Sequence, residues 1–129
     1  MSCFGIRGAI IVERNTREAI IAASKELLKK MAATNGVDVD NIAGIWFTTT
    51  PDIDAEFPAV AARELGWSNT ALMCGHEMNV PGSLSSCLRI LMLVNTEKKN
   101  TEIEHIYLKG TEVLRAETAA FQMGGEDKT

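Results

Sequence analysis

The chain reads as a single α/β or α+β domain, a mixed β-sheet packed with helices. Three observations predict this. Strand-like and helix-like stretches alternate along the sequence, which sets helices against a sheet. The length of 129 residues suits one domain, since domains most often run roughly 100–150 residues. Hydrophobic residues make up 46% and charged residues 23%, a balance that can build a core without staples.

The elements follow in order. Ile6–Val12 is rich in β-branched residues and reads as a first strand. Asn15-Thr16 offers an N-cap, with Glu18 in the first turn of a helix. Ile20, Ile21, Ser24, Leu27, Leu28 and Met31 keep helical spacing, and Asn35-Gly36 supplies the stop. Ile42–Thr49 reads as a second strand, broken by Thr50-Pro51-Asp52. Pro58–Leu65 is a short helix ending at Gly66, and Thr70–Gly75 is a third strand. Pro81-Gly82-Ser83 opens a predicted helix through Leu84, Leu88, Leu91 and Met92. After a polar connection at Asn95–Thr101, Ile103–Leu108 and Thr111–Leu114 read as a closing pair of strands around Lys109-Gly110. Residues 1–118 are expected to form the domain and residues 119–129 a flexible tail. Several strands in so short a chain leave open sheet edges, which oligomerisation can cover.

Charge and cysteine usage exclude several classes. The net charge is -4 and no basic run is present, which argues against nucleic acid or an anionic membrane as partner. The longest apolar run, near Ile90–Val94, is far shorter than a bilayer span. Cys3, Cys74 and Cys87 are odd in number and widely spaced, against both a disulfide framework and a zinc site. A reducing, cytoplasmic location without a signal peptide is expected. No glycine-rich phosphate loop appears, so no nucleotide cofactor and no metal are expected.

Several residues are candidates for chemistry. Arg7 interrupts an apolar strand between Gly5 and Gly8; alternation allows it simply to face outward, and the glycines would equally admit a ligand. Arg89 interrupts an apolar helical pattern; it is either a solvated charge or a partly desolvated guanidinium that offers a planar fork to carboxylates. Cys74 and Glu77 close the third strand, where α/β proteins often carry sites; the plain alternatives are a buried thiol and a surface carboxylate. A nucleophilic Cys74–His76 pair is disfavoured because adjacent strand residues point to opposite faces. His105 reads as a satisfied strand residue, and Tyr107 as a half-buried one with its hydroxyl in reach of a partner. Arg63 and Arg115 read as surface charges, and Trp46 and Trp67 as core or interface residues. Glu13, Asp52, Asp54 and Glu56 read as a solvated loop and strand end rather than paired catalytic carboxylates. These residues alone define a domain with scattered arginines and name no reaction.

Larger segments add a resemblance. Gly5-Ile-Arg-Gly-Ala9 with Val12-Glu13-Arg14, Thr50-Pro-Asp52, Phe57-Pro-Ala59 and Arg63-Glu-Leu65 form one set. Cys74-Gly-His-Glu-Met78, Cys87-Leu-Arg89, His105-Ile-Tyr-Leu108 and Val113-Leu-Arg115 form the other. Together they resemble the monofunctional chorismate mutases of the AroH class, in order and nearly in spacing. The resemblance implies a homotrimer of pseudo-α/β-barrel form, active sites between subunits, and conversion of chorismate to prephenate toward phenylalanine and tyrosine. It places Arg7, Arg89, Tyr107, Cys74 and Glu77 on active-site positions. Phe57, Ala59, Leu72 and Met73 fall on the pocket wall, and Arg63 and Arg115 near its mouth. Val60 stands where better-known relatives carry a lysine, the Leu65-Gly66-Trp67 turn is one residue shorter, and the tail past Arg115 departs from the pattern. Two alternatives differ in class: a small imine or enamine deaminase on a similar trimer, and a non-catalytic sensor of aromatic-pathway metabolites.

Overall fold

The computed structural model of the chain describes residues 1–114. Expectations for Arg115 and the 119–129 tail therefore lie outside the described residues. Strand β1 (Ser2–Ile11) leads to helix α1 (Arg17–Thr34), strand β2 (Ile42–Thr49), helix α2 (Ala59–Glu64), and strands β3 (Leu72–His76), β4 (Cys87–Thr96) and β5 (Ile106–Leu108). The five strands form one mixed sheet in the order β3-β2-β4-β1-β5. β4 is antiparallel to both β1 and β2, while β3 and β5 lie parallel on the outer flanks. The α+β expectation with a mixed sheet holds.

One face of the sheet carries the core. Cross-strand pairs Ile6–Met92, Gly8–Ile90 and Ile10–Leu88 continue into Met92–Ile45 and Ile90–Phe47, and all these apolar side chains are buried. α1 lies over this face through Ile20, Leu27, Leu28 and Met31. Gly8 permits the close approach: a Cβ there would meet Met31 Sδ and come within 3.1 Å of Leu27 Cδ1. The helix begins as expected, with the Thr16 hydroxyl accepting from Ala19 N–H at 3.1 Å. It ends at Asn35, followed by Gly36 at φ 60°. Asn35 is buried and does more than stop the helix: its amide donates to the Met31 and Glu104 carbonyls and accepts from Glu104 N–H, holding the approach to β5. Lys25 and Arg17 pair with Glu64, tying α1 to α2.

Two sequence expectations fail. The predicted helix over Leu84–Met92 is the central strand β4. Leucines at helical spacing concealed an alternation in which Leu88, Ile90, Met92 and Val94 face the core, while Leu91 and Leu93 lie on the opposite face beside Arg89. A strand apolar on both faces has no clean period to separate it from a helix. Its start is set by a turn: Ser86 takes φ 52°, and Asp52 accepts from both the Ser86 N–H (2.8 Å) and hydroxyl (3.1 Å). The second failure is Thr111–Leu114, which forms no strand. Residues 112–114 are helical, and Thr111 is buried with its hydroxyl on the Ala9 and Leu108 carbonyls. The partner of β5 is β1. Among the described residues no helix is long and apolar enough to cross a membrane.

Candidate active site

The sheet's second face, opposite α1, is where the charged candidates meet. Thr48 of β2 pairs with Arg89 of β4, Arg89 with Ala9 of β1, and Ala9 with Tyr107 of β5. These four residues form one row across the sheet, with strands roughly 4.8 Å apart. Alternation puts them all on the same face. The adjacent row, one pleat along, runs Met73, Trp46, Leu91, Arg7. Ala9, between Arg89 and Tyr107 in the row, is fully buried.

Glu77 follows β3 directly. Its N–H donates to the Thr49 carbonyl at 2.8 Å, extending the parallel ladder by one step. Its side chain turns onto the row: Oε2 accepts from the Thr48 hydroxyl and lies 3.1 Å from Arg89 Nε. Arg7, Glu77, Arg89 and Tyr107 line one cleft of about 740 Å³, walled also by Trp46, Thr48, Leu91 and Leu114. A smaller chamber of about 280 Å³ adjoins it through Glu77, Arg89 and Leu114 and reaches Cys87. Beside the cleft, the Arg7 N–H donates to His105 Nδ1 at 2.9 Å; His105 is engaged as expected, although it sits just ahead of β5 rather than in it.

The remaining candidates lie elsewhere. Cys74 and Phe57 line a separate pocket of about 350 Å³, formed with His76 and residues 53–58. Leu72 shares the core-side face with Cys74, and Ala59 is buried in α2, which also carries exposed Arg63. Met73 is on the cleft face but beside its edge, where Trp46 Nε1 lies 3.0 Å from its sulfur. Within one chain, then, Cys74 does not stand beside Glu77. Cys74 and His76 do not point to opposite faces, contrary to the sequence expectation. The two are separated by one residue, so they share a face and a pocket. The chemistry still disfavours a nucleophile: burial pushes the Cys74 thiol up, against smaller opposing effects from the Ala59 N–H and Arg63. His76 Nδ1 lies 3.1 Å from the Thr49 hydroxyl instead. Burial likewise pushes Cys87 up to about 11, only partly offset by Arg89.

The other carboxylates are structural. Asp52 holds Thr50 and Ser86, Asp54 accepts from Asn15 at 2.8 Å, and Glu56 lies 3.7 Å from Arg17. Among the described residues no group of histidine, cysteine, aspartate and glutamate could hold a metal ion. Sequence reasoning missed Thr48 as a site residue. Its signal was available: in the strand Ile42–Thr49 it lies two residues after Trp46 and shares its face, away from the core.

Two guanidiniums, a phenol and one carboxylate meet in one cleft on the five-stranded mixed sheet of an α+β domain, with cations in excess. Comparison with known proteins names the class. The family model for chorismate mutase type I matches residues 3–118, so the chain belongs to that family. It is 42% identical to chorismate mutase AroH of Bacillus subtilis (strain 168) over 112 residues, covering 86% of this chain and 88% of that relative. It is also 42% identical to chorismate mutase AroH of Thermus thermophilus over 119 residues, covering 92% and 98%. A solved chorismate mutase from Clostridium thermocellum superposes with a TM-score of 0.84 at 52% identity, covering 85% of this chain and 98% of that one.

Proposed function

We propose that this cleft binds chorismate and rearranges it to prephenate, with Arg89 as the catalytic cation. The observation that carries the reading is the convergence of Arg7, Glu77, Arg89 and Tyr107 on one cleft. Chorismate is a dianion, and here two cations outnumber one carboxylate despite the chain's net charge of -4. The rearrangement is pericyclic: one C–O bond breaks as one C–C bond forms, and no proton, nucleophile or cofactor takes part. The protein has two tasks. It holds the flexible substrate in its compact, near-attack shape. It also stabilises negative charge growing on the ether oxygen. Arg89 donates to that oxygen and to the side-chain carboxylate. Arg7 and Tyr107 hold the same carboxylate, and Glu77 takes the ring hydroxyl.

The same reading extends to assembly. Phe57 and Cys74 sit in a pocket apart from the cleft, and Ala59, Arg63 and Leu72 lie on the same side of the sheet. A homotrimer of pseudo-α/β-barrel form accounts for them, with one subunit's cleft closed by Phe57, Ala59, Leu72, Met73 and Cys74 of the partner subunit. The exposed apolar residues on the cleft face, Trp46, Met73 and Leu91, suit burial against another copy. Arg63 would then attract the dianion at the mouth together with Arg115, which lies outside the described residues. Three free thiols suit a cytoplasmic location.

The test mixes pure protein with chorismate, follows loss of its ultraviolet absorbance, and identifies the product. Prephenate formation by a trimer supports the reading. Binding without turnover indicates a metabolite sensor, and turnover of an imine or enamine instead indicates a deaminase.

A further inference from the structure

We propose that Thr48 is a positioning residue for the reaction: its hydroxyl holds the Glu77 carboxylate so that Arg89 keeps its terminal nitrogens for the substrate. The inference rests on reading the cleft as the chorismate site. Thr48 lies directly across from Arg89 in the β2–β4 register, and both line the cleft with Glu77. Glu77 Oε2 accepts from the Thr48 hydroxyl, and the same oxygen lies 3.1 Å from Arg89 Nε. Both contacts thus fall on one carboxylate oxygen. The far end of Glu77 is fixed as well, through its N–H on the Thr49 carbonyl at 2.8 Å.

This arrangement resists a competing one. A carboxylate beside a guanidinium favours a fork-to-fork pair with two parallel hydrogen bonds. Such a pair would claim an Arg89 terminal nitrogen that the ether oxygen needs. It would also turn Glu77 Oε1 away from the ring hydroxyl. The Thr48 hydroxyl opposes that pivot by fixing Oε2. Arg89 is engaged at its Nε edge, which leaves its two NH2 groups for the substrate in the cleft. Serine can supply the same donor, whereas valine has threonine's shape without it.

The experiment compares the full-length wild type with Thr48→Val and Thr48→Ser in the chorismate assay, and follows the Arg89 Nε–H resonance by 15N NMR. Misplacing a reacting group slightly is enough to cost about tenfold or more, so kcat of Thr48→Val falls by at least that, while KM moves by less than about threefold. Thr48→Ser stays within about threefold of wild type in kcat, as expected when the donor is retained. The Arg89 Nε–H signal shifts in Thr48→Val and holds in Thr48→Ser, with equal melting temperatures. Thr48→Ala, which cannot crowd the sheet, moves the signal as valine does. Wild-type turnover by Thr48→Val overturns the proposal. So does an unmoved Arg89 signal, or equal losses in the valine and serine variants. The resonance needs no turnover: a wild type inactive on chorismate defeats the functional reading, while the signal still judges the Thr48 contact.

Discussion

Arg89 and Glu77 meet Nε to Oε2 at 3.1 Å, although they come from β4 and the end of β3 with β2 between them. The Arg89 side chain is 49% exposed and that of Glu77 25%. A pair this open to water contributes about 0–1 kcal/mol to folding. Its consequence is geometric. It turns the guanidinium so that one edge is occupied and the other faces the cleft.

Arg89→Lys tests that geometry. Lysine keeps the charge but replaces a planar fork with a point. Turnover falls by about 100-fold, near the loss of one preorganised donor elsewhere. Stability barely changes, with a melting-temperature shift under about 4 °C. Steady-state kinetics beside thermal melts checks both.

The rate is nearly flat from about pH 6 to pH 8, because no proton moves in the chemical step. The nearby thiols do not disturb this. Burial pushes Cys74 up, and Cys87 rises to about 11, so both stay protonated through neutrality. A pH–kcat profile with a steep bell near neutrality would instead implicate His76 or Cys74 as an acid or base.

Asp52 gives an acid-side dependence of stability. The Thr50 hydroxyl, seconded by Ser86 and opposed by some desolvation, holds its carboxyl below the ordinary value of 3.8. The unfolded chain therefore binds more protons there, and stability rises with pH across that window. The contribution is complete above the unfolded value and is lost as pH falls through the folded one. Asp52→Asn removes this dependence and costs about 1 kcal/mol at neutral pH. Acid titrations followed by circular dichroism compare the two proteins; matching acid limbs would contradict the assignment.

Local signals made much of the fold legible. Thr16 caps α1 as its hydroxyl chemistry dictates, and Ile42–Thr49 is rich enough in β-branched and aromatic residues to read as a strand, alternating from Ile45 to Thr49 after a bulge between Ile42 and Gly44. β4 was misread because Leu91 and Leu93 extend its apolar character to the second face. That error put Arg89 on the wrong kind of element while leaving its distinctive feature, a charge among leucines, visible. The cleft itself was not legible from local pattern. Thr48, Arg89, Ala9 and Tyr107 come from four strands, and only the sheet order sets them in one row. Segment-by-segment resemblance grouped Arg89 with Arg7, Tyr107 and Glu77 but left Thr48 out, and it also grouped Cys74 and Phe57, which one chain keeps apart from Glu77.

Gly8→Ala measures the closeness of α1 to the sheet. The added methyl meets Met31 Sδ and Leu27 Cδ1. Overpacking of this kind costs about 1–3 kcal/mol. Urea unfolding shows the loss as a lower midpoint at unchanged slope. An unchanged midpoint would mean that Met31 moves aside freely.

The proposed role of Arg89 is to stabilise charge in the transition state. Its most direct test is kcat of Arg89→Ala on chorismate, measured on protein shown to keep the wild-type circular dichroism spectrum. Turnover should fall by about 10²–10³-fold or more, corresponding to roughly 3–4 kcal/mol of lost stabilisation. Near-wild-type turnover by the folded variant would contradict the account.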